Sequence, residues 1–470
     1  MEKLKKIILQ TDNSVLDEIE NNFRKNNSVK FLHLFTSYRD GTIEDETIRT
    51  QLNCNENSFF VLKSRLFDKI QKHLLSKSES TKTTADSSDL NLNHYLHSYP
   101  NETAIAMLQQ MEKNFIETDS PYDLIHVYSA LKKAHFYSDK FYSYSKQYNN
   151  QVAFLLAIER AEEILYKYNR SLANYYFSDS ETEQELLFML IKEIKNTYSL
   201  YKSRRIKLIH NIIIIQTILF ANLELKDEPS VEDLLEESGE ILKQFIDDSS
   251  LSHYKKVFDY LNFEYYFSLG ISKKYILYFE LIENNLKNFL LLNNSCLAFR
   301  FLNSRSDLYA NQAKQNNISE GLSDLYFDKN DLFTEVIVKL NCSIGAYYDG
   351  DVKTAILLMN EILNEVSFKN YFFVEANIKL SLMHFYIIKK EYDMAESIIK
   401  GLSRKLLTFK GDKYKNIKQA VKLYSLVFSG MKSRTAREKF KDMYDQLVFY
   451  NTKEKKVLSS LIQEIEKLAD

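Results

Sequence analysis

The sequence has no tryptophan, three prolines and nine glycines in 470 residues. Proteins ordinarily hold roughly 7% glycine and 5% proline, so the material for the tight turns of a β-rich fold is missing and helices are expected throughout. The prolines agree: Pro100 precedes Asn101 in "YPNETAIAML", Pro121 follows Ser120 in "DSPYDLIHVY", and Pro229 opens "PSVEDLLEE". At such helix starts the missing N–H is harmless. The three cysteines, Cys54, Cys296 and Cys342, are odd in number and far apart. That excludes a disulfide framework and predicts buried thiols in a reducing compartment.

Charge of one sign is also missing. With 62 Lys and Arg against 64 Asp and Glu, the net charge is -2, so no global field draws the chain to nucleic acid or anionic lipid. The most apolar run, "IIIIQTILFANLEL" at 212–225, carries Gln216 and Asn222 and falls short of the roughly 18 residues that span a bilayer. It reads as a fully buried helix. The apolar core of "MEKLKKIILQ" is too short for a signal peptide. The expectation is a cytoplasmic protein without membrane contact. Catalytic signatures are absent as well: the glycines form no phosphate-cradling loop, and there is no HExxH, CxxC or nucleophile elbow. His94 and His97 in "NHYLH" stand three apart without a third ligand nearby, and read as surface histidines. No enzyme activity, cofactor or metal is expected.

What is present is the balance of an ordinary globular protein, 45% hydrophobic and 27% charged. A chain of this length forms several domains or a stacked array. Residues 76–91, "SKSESTKTTADSSDLN", hold too little apolar surface to offset their ordering entropy and read as a linker. They divide a small helical domain at 1–75 from a long helical region at 92–470. In that region apolar residues recur three and four apart, as in "AFLLAIERAEEILYKY", "VEDLLEESGEILKQFI" and "DVKTAILLMNEIL".

A longer period overlies these stripes. Gly270, Gly350 and Gly430 each end one helix before another, at a step of 80 residues, and Lys390 in "KKEYDMAESIIKGL" lies midway between the last two. Five or six residues beyond each turn comes Tyr275, Ala355, Ala395 or Ala436. Large apolar residues follow at four and seven: Phe279 and Ile282, Met359 and Ile362, Ile399 and Leu402, Phe440 and Met443. A small residue backed by large ones lets a second helix approach its partner closely. This pattern, with Leu382 and Tyr386 in the preceding helix, resembles the tetratricopeptide repeat from about 255 to 445. It departs in its period of about 40, in Met383 at the first helix's glycine place, and in lacking a repeat-ending proline. The fold expected is all-α: a TPR-like solenoid of helical hairpins with a small N-terminal helical domain.

In the N-terminal region, a short helix ending near Leu52, the turn "NCNEN" and a long helix from about Ser58 are similar to a helix-turn-helix. Ile48, Leu52, Phe59, Leu62, Leu66 and Ile70 supply its inward positions. Arg65, Lys69 and Lys72 share the opposite face, available to phosphates or simply to solvent. Two further stretches stand out. "AHFYSDKFYSYSKQYNN", 134–150, holds more aromatics than one buried stripe accommodates. From Lys400 onward, Lys and Arg outnumber acids roughly two to one, which reads as a solvated cap on the last repeats.

The leading expectation is a non-enzymatic repeat protein that binds a protein or peptide in a concave groove lined by first helices, including Tyr347, Tyr348, Asn377 and His384. The alternative is a transcriptional regulator that reads DNA through Arg65, Lys69 and Lys72 and senses a ligand with its repeats. Its overall plan resembles that of peptide-sensing bacterial regulators.

Overall fold

The computed structural model describes residues 4–5, 8, 13–26, 28–41, 44–80, 92, 101–221, 223, 225, 228–245, 251–292, 294–311, 317–322, 332–409, 413–429, 434–453, 455–458 and 460–468. Among them every regular element is a helix, as the shortage of glycine and proline predicts. The chain divides into two compact units, Met1–Ser98 and Tyr99–Ser323 with Phe327–Asp470. His94, His97 and residues 81–91 of the expected linker lie outside the described residues, while 76–80 continue a helix.

The first unit contains α1 (Asn13–Lys25), α2 (Val29–Arg39), α3 (Asp45–Gln51) and α4 (Glu56–Ser80). Leu16, Ile19 and Phe23 pack with Leu34, Phe35 and Tyr38, and with Ile48, Phe59, Leu66 and Ile70. Leu52 and Leu62 pack partly against this core, so all six inward positions read from the sequence line it. Asp45, in the first turn of α3, accepts hydrogen bonds from Tyr38 at 3.0 Å and Lys63 at 2.6 Å. Burial opposes its ionisation, but these bonds and Lys5 outweigh that and hold its carboxyl below the usual range.

In the second unit, α5 (Asn101–Glu117), α6 (Pro121–Ala134), α7 (Lys140–Ser178), α8 (Glu181–Leu200) and α9 (Arg204–Gln216) come first. Next are α10 (Val231–Gln244), α11 (Ser252–Ser268), α12 (Ser272–Glu283), α13 (Leu286–Leu290) and α14 (Ser295–Asn311). The remainder are α15 (Leu332–Tyr348), α16 (Val352–Glu365), α17 (Phe372–Ile388), α18 (Tyr392–Leu406), α19 (Lys415–Ser429), α20 (Arg434–Lys453) and α21 (Ile462–Lys467). Consecutive helices pack on one another along most of this series, an arrangement compatible with a helical repeat.

The turns within three hairpins are the same. Gly270, Gly350 and Lys390 adopt left-handed backbone, with φ of 69°, 85° and 64°. At each, the residue's N–H reaches the carbonyl three back (Phe267, Tyr347, Ile387), and the next N–H reaches the carbonyl five back (Tyr266, Ala346, Tyr386). This paired closure satisfies carbonyls that the helix end would leave open. Asn53 and Asp119 end α3 and α5 in the same way, so the turn is general. Only its recurrence at 270, 350 and 390 keeps the period. Ala355 and Ala395, the small residues of the second helices, are fully buried, with Met359, Ile362, Ile399 and Leu402 behind them. Tyr275 and Ala436 are only half-buried.

Two elements hold the interior together. Helix α7 runs for 39 residues, about 58 Å at 1.5 Å per residue, and its C-terminal half packs on α9, α14 and α17 as well as on its neighbours. The apolar run supplies α9 and a π-helical turn, Thr217–Ala221, rather than one uninterrupted helix to Leu225. Ile212–Thr217, Phe220 and Ala221 are buried, and no helix among the described residues is long and apolar enough to cross a membrane. Cys296 is buried and its thiol pushed up to about 12 by burial, while Cys54 and Cys342 are half-buried and free.

The turn geometry gives a paired prediction. A Cβ at Gly350 meets no atom within 4 Å, so only its left-handed backbone resists substitution. Gly350→Ala should lower unfolding stability by about 1 kcal/mol, and Lys390→Gly should raise it by up to about 1 kcal/mol. Urea unfolding of both variants beside the parent protein checks the opposite signs.

Candidate functional site

The four residues expected to line a groove sit on α15 and α17. Tyr347 and Tyr348 occupy the last turn of α15, and Asn377 and His384 lie two turns apart on α17. His384 is wholly buried. Its Nε2 lies 3.2 Å from the Tyr347 hydroxyl and its Nδ1 lies 3.1 Å from that of Tyr424 on α19. One imidazole thus bridges three helices, and burial lowers its pKa to about 3, which keeps it neutral.

The structure does bring these side chains together, and against them lies the chain's own C-terminal segment. Between α20 and α21, residues 455–458, 460 and 461 have no helical structure. Irregular backbone has no internal partners, so it must find them in the surrounding side chains. Asn416 of α19 donates Nδ2–H to the Lys455 carbonyl at 2.7 Å. Asn451 of α20 accepts from the Val457 N–H at 3.2 Å and donates to its carbonyl at 2.9 Å. The Leu458 N–H donates to Asn377 Oδ1 at 2.9 Å, and the Tyr348 hydroxyl donates to the Ser460 carbonyl at 2.7 Å. Tyr347 faces Glu464 of α21.

The segment's side chains are held as closely. Val457, Leu461 and Ile465 are fully buried. The Lys455 ammonium donates to Asp179 and to the Tyr176 carbonyl at the end of α7, and lies 5.0 Å from the Tyr176 ring and 5.6 Å from that of Phe373. Burial lowers its pKa, against the pull of Asp179. Lys456 pairs with Asp307 of α14. Below this level, Tyr176, Phe177, Phe299, Phe333 and Phe373 form one aromatic cluster, with Phe177 and Phe333 stacked at 5.0 Å. The fit has two blemishes. Leu458 adopts left-handed backbone with φ of 56°, which costs a residue with a Cβ about 1 kcal/mol, and Ser460 Oγ is buried without a partner among the described residues.

Sequence reasoning reaches the four residues on the first helices but not what covers them. It does not reach Asn416, Asn451, Asp179, Asp307, Lys455 or Lys456. The available signal is the spacing of Val457, Leu461 and Ile465 after a polar break. Lys455 also leaves the basic surface expected of the C-terminal region, its ammonium held by Asp179 and the Tyr176 carbonyl, whereas Lys456 stays exposed beside Asp307.

In the first unit, Arg65 is exposed. Lys69 lies 4.5 Å from the centre of the Phe31 ring and 5.9 Å from that of Phe23, and the Lys72 side chain lies outside the described residues. Of the aromatic stretch, Phe136, Tyr137 and Tyr142 are exposed, while Phe141, Tyr144 and Tyr148 are half-buried. No group of histidines, cysteines and carboxylates suited to a metal occurs among the described residues. Comparisons with family models, curated proteins and solved structures yield no match to this chain.

His384 sets a pH dependence. Its folded pKa lies below the ordinary 6.5, so the unfolded chain takes up a proton that the folded one refuses. The contribution is present above pH 6.5 and is lost as pH falls toward 3. Between about pH 7.5 and pH 5 the parent protein should lose about 2 kcal/mol more than His384→Gln, measured by urea unfolding at both pH values.

Proposed function

We propose that the chain is a non-enzymatic helical-repeat protein that binds an extended protein or peptide segment across the face shared by α15, α17 and α19. The observation that carries this reading is the pair of hydrogen bonds that Asn377 accepts from the Leu458 N–H and Tyr348 donates to the Ser460 carbonyl. Side chains that grip backbone are indifferent to the segment's sequence, so they hold any extended strand whose own side chains fit the flanking pockets. Buried aromatics beneath supply apolar area, and the flanking carboxylates supply charge selectivity. A TPR-like array presenting first helices along one groove is the architecture this reading assumes. A cytoplasmic location and a protein or peptide partner belong to the same proposal.

The test is selection of short peptides from a displayed random library on the immobilised full-length protein. Selected peptides should lose at least about ten-fold in affinity, roughly 1.4 kcal/mol, on the double variant Asn377→Ala with Tyr348→Phe. Selected peptides that bind parent and variant alike would remove the groove from consideration.

A further inference from the structure

The face that the proposed function assigns to a partner is already filled. We infer that the C-terminal segment, residues 455–458 and 460–468, is a resident ligand, and that the partner which displaces it presents two consecutive lysines followed by aliphatic residues at the spacing of Val457, Leu461 and Ile465. The inference rests on the groove reading above and adds to it a class of partner and a mode of regulation.

The chemistry of the occupant defines that class. The first lysine enters a socket formed by Asp179, the Tyr176 carbonyl and the rings of Tyr176 and Phe373; the second meets Asp307. Both sockets belong to helices far from the segment in sequence, so they remain as anionic sites when the segment leaves. Asp307 is largely buried, and a buried carboxylate left without its cation is unfavourable; the more open Asp179 also pairs with a lysine here, so an incoming segment gains from a cation at each socket. The apolar seats taken by Val457, Leu461 and Ile465 require aliphatic residues. A neutral or acidic segment leaves both carboxylates without a cation.

The manner of attachment separates this segment from the helical interior. Ahead of α21, its main chain depends on side chains of α15, α17, α19 and α20 instead of a helical ladder. It also carries a left-handed leucine and an orphaned serine hydroxyl. A partner with glycine or an extended residue at the leucine position, and no hydroxyl at the serine position, fits better. Tethering gives the resident segment an effective concentration on the order of millimolar, so it excludes weak ligands and yields to a tighter one. Occupancy of the groove is then a threshold set by the chain itself.

The experiment uses the full-length chain and a fluorescent peptide with the sequence of residues 453–468, read by anisotropy. The parent protein should bind this peptide weakly. The variant Lys455→Ala with Lys456→Ala, altered only in the resident segment, should bind it on the order of ten-fold more tightly or better. A peptide with glutamate in place of both lysines should bind that variant at least ten-fold more weakly. Equal binding by parent and variant, or by both peptides, overturns the inference. If that happens while library peptides still depend on Tyr348 and Asn377, the groove reading stands; if neither dependence exists, both fail. Hydrogen exchange on the parent protein gives a second measure that needs no variant. The amides of Val457 and Leu458 should exchange at least ten-fold faster than that of Leu382 in mid α17. Exchange of all three at one common rate would make the segment part of the core and end the proposal.

Discussion

Buried backbone without helical hydrogen bonds is the constraint around which the second unit is arranged. A helix satisfies its own main chain, so helix-on-helix packing asks only for apolar side chains. Residues 455, 457, 458 and 460 impose the opposite demand. Their N–H and C=O groups lie among helices and must be met from outside, at about 1–3 kcal/mol for each group left open. Asn377, Asn416, Asn451 and Tyr348 supply the polar groups that meet this demand. His384 belongs to the same level, binding the hydroxyls of Tyr347 and Tyr424 so that the helices beneath the segment keep their spacing.

Much of the scaffold was legible because its signals are local. Glycine at 270 and 350 and lysine at 390 mark turns that close with the same two hydrogen bonds. Ala355 and Ala395 are buried as close-approach positions should be. Tyr275 and Ala436 share the spacing but not the burial, so the period is sharpest in the α15–α18 hairpins and relaxes to either side. In the first unit the heptad-like set from Ile48 to Ile70 was legible for the same reason: one helix face meets one core.

The site was half legible. Periodicity places Tyr347, Tyr348, Asn377 and His384 on first helices, because facing direction follows from a period of 3.6. What covers them could not be read, since the contacts join residues 81 apart at Asn377 and 276 apart at Asp179. No local propensity encodes such a pairing. The apolar run at 212–225 shows a milder version. Its burial was plain from composition, whereas the π-helical turn after Gln216 meets Tyr168 of α7 at Thr217 and Tyr260 of α11 at Phe220, partners that no local pattern announces.

The attachment of Lys455 to α7 also bears on the order of assembly. The longest helix ends at Ser178, and the open carbonyl of Tyr176 and the carboxylate of Asp179 at that end meet their cation in a lysine placed 276 residues downstream of Asp179. At translation rates of roughly 5–20 residues per second, about 15 to 55 s separate synthesis of the helix from synthesis of its counter-charge. During that interval the end of the helix is without this lysine. This contact therefore forms long after the helix it closes.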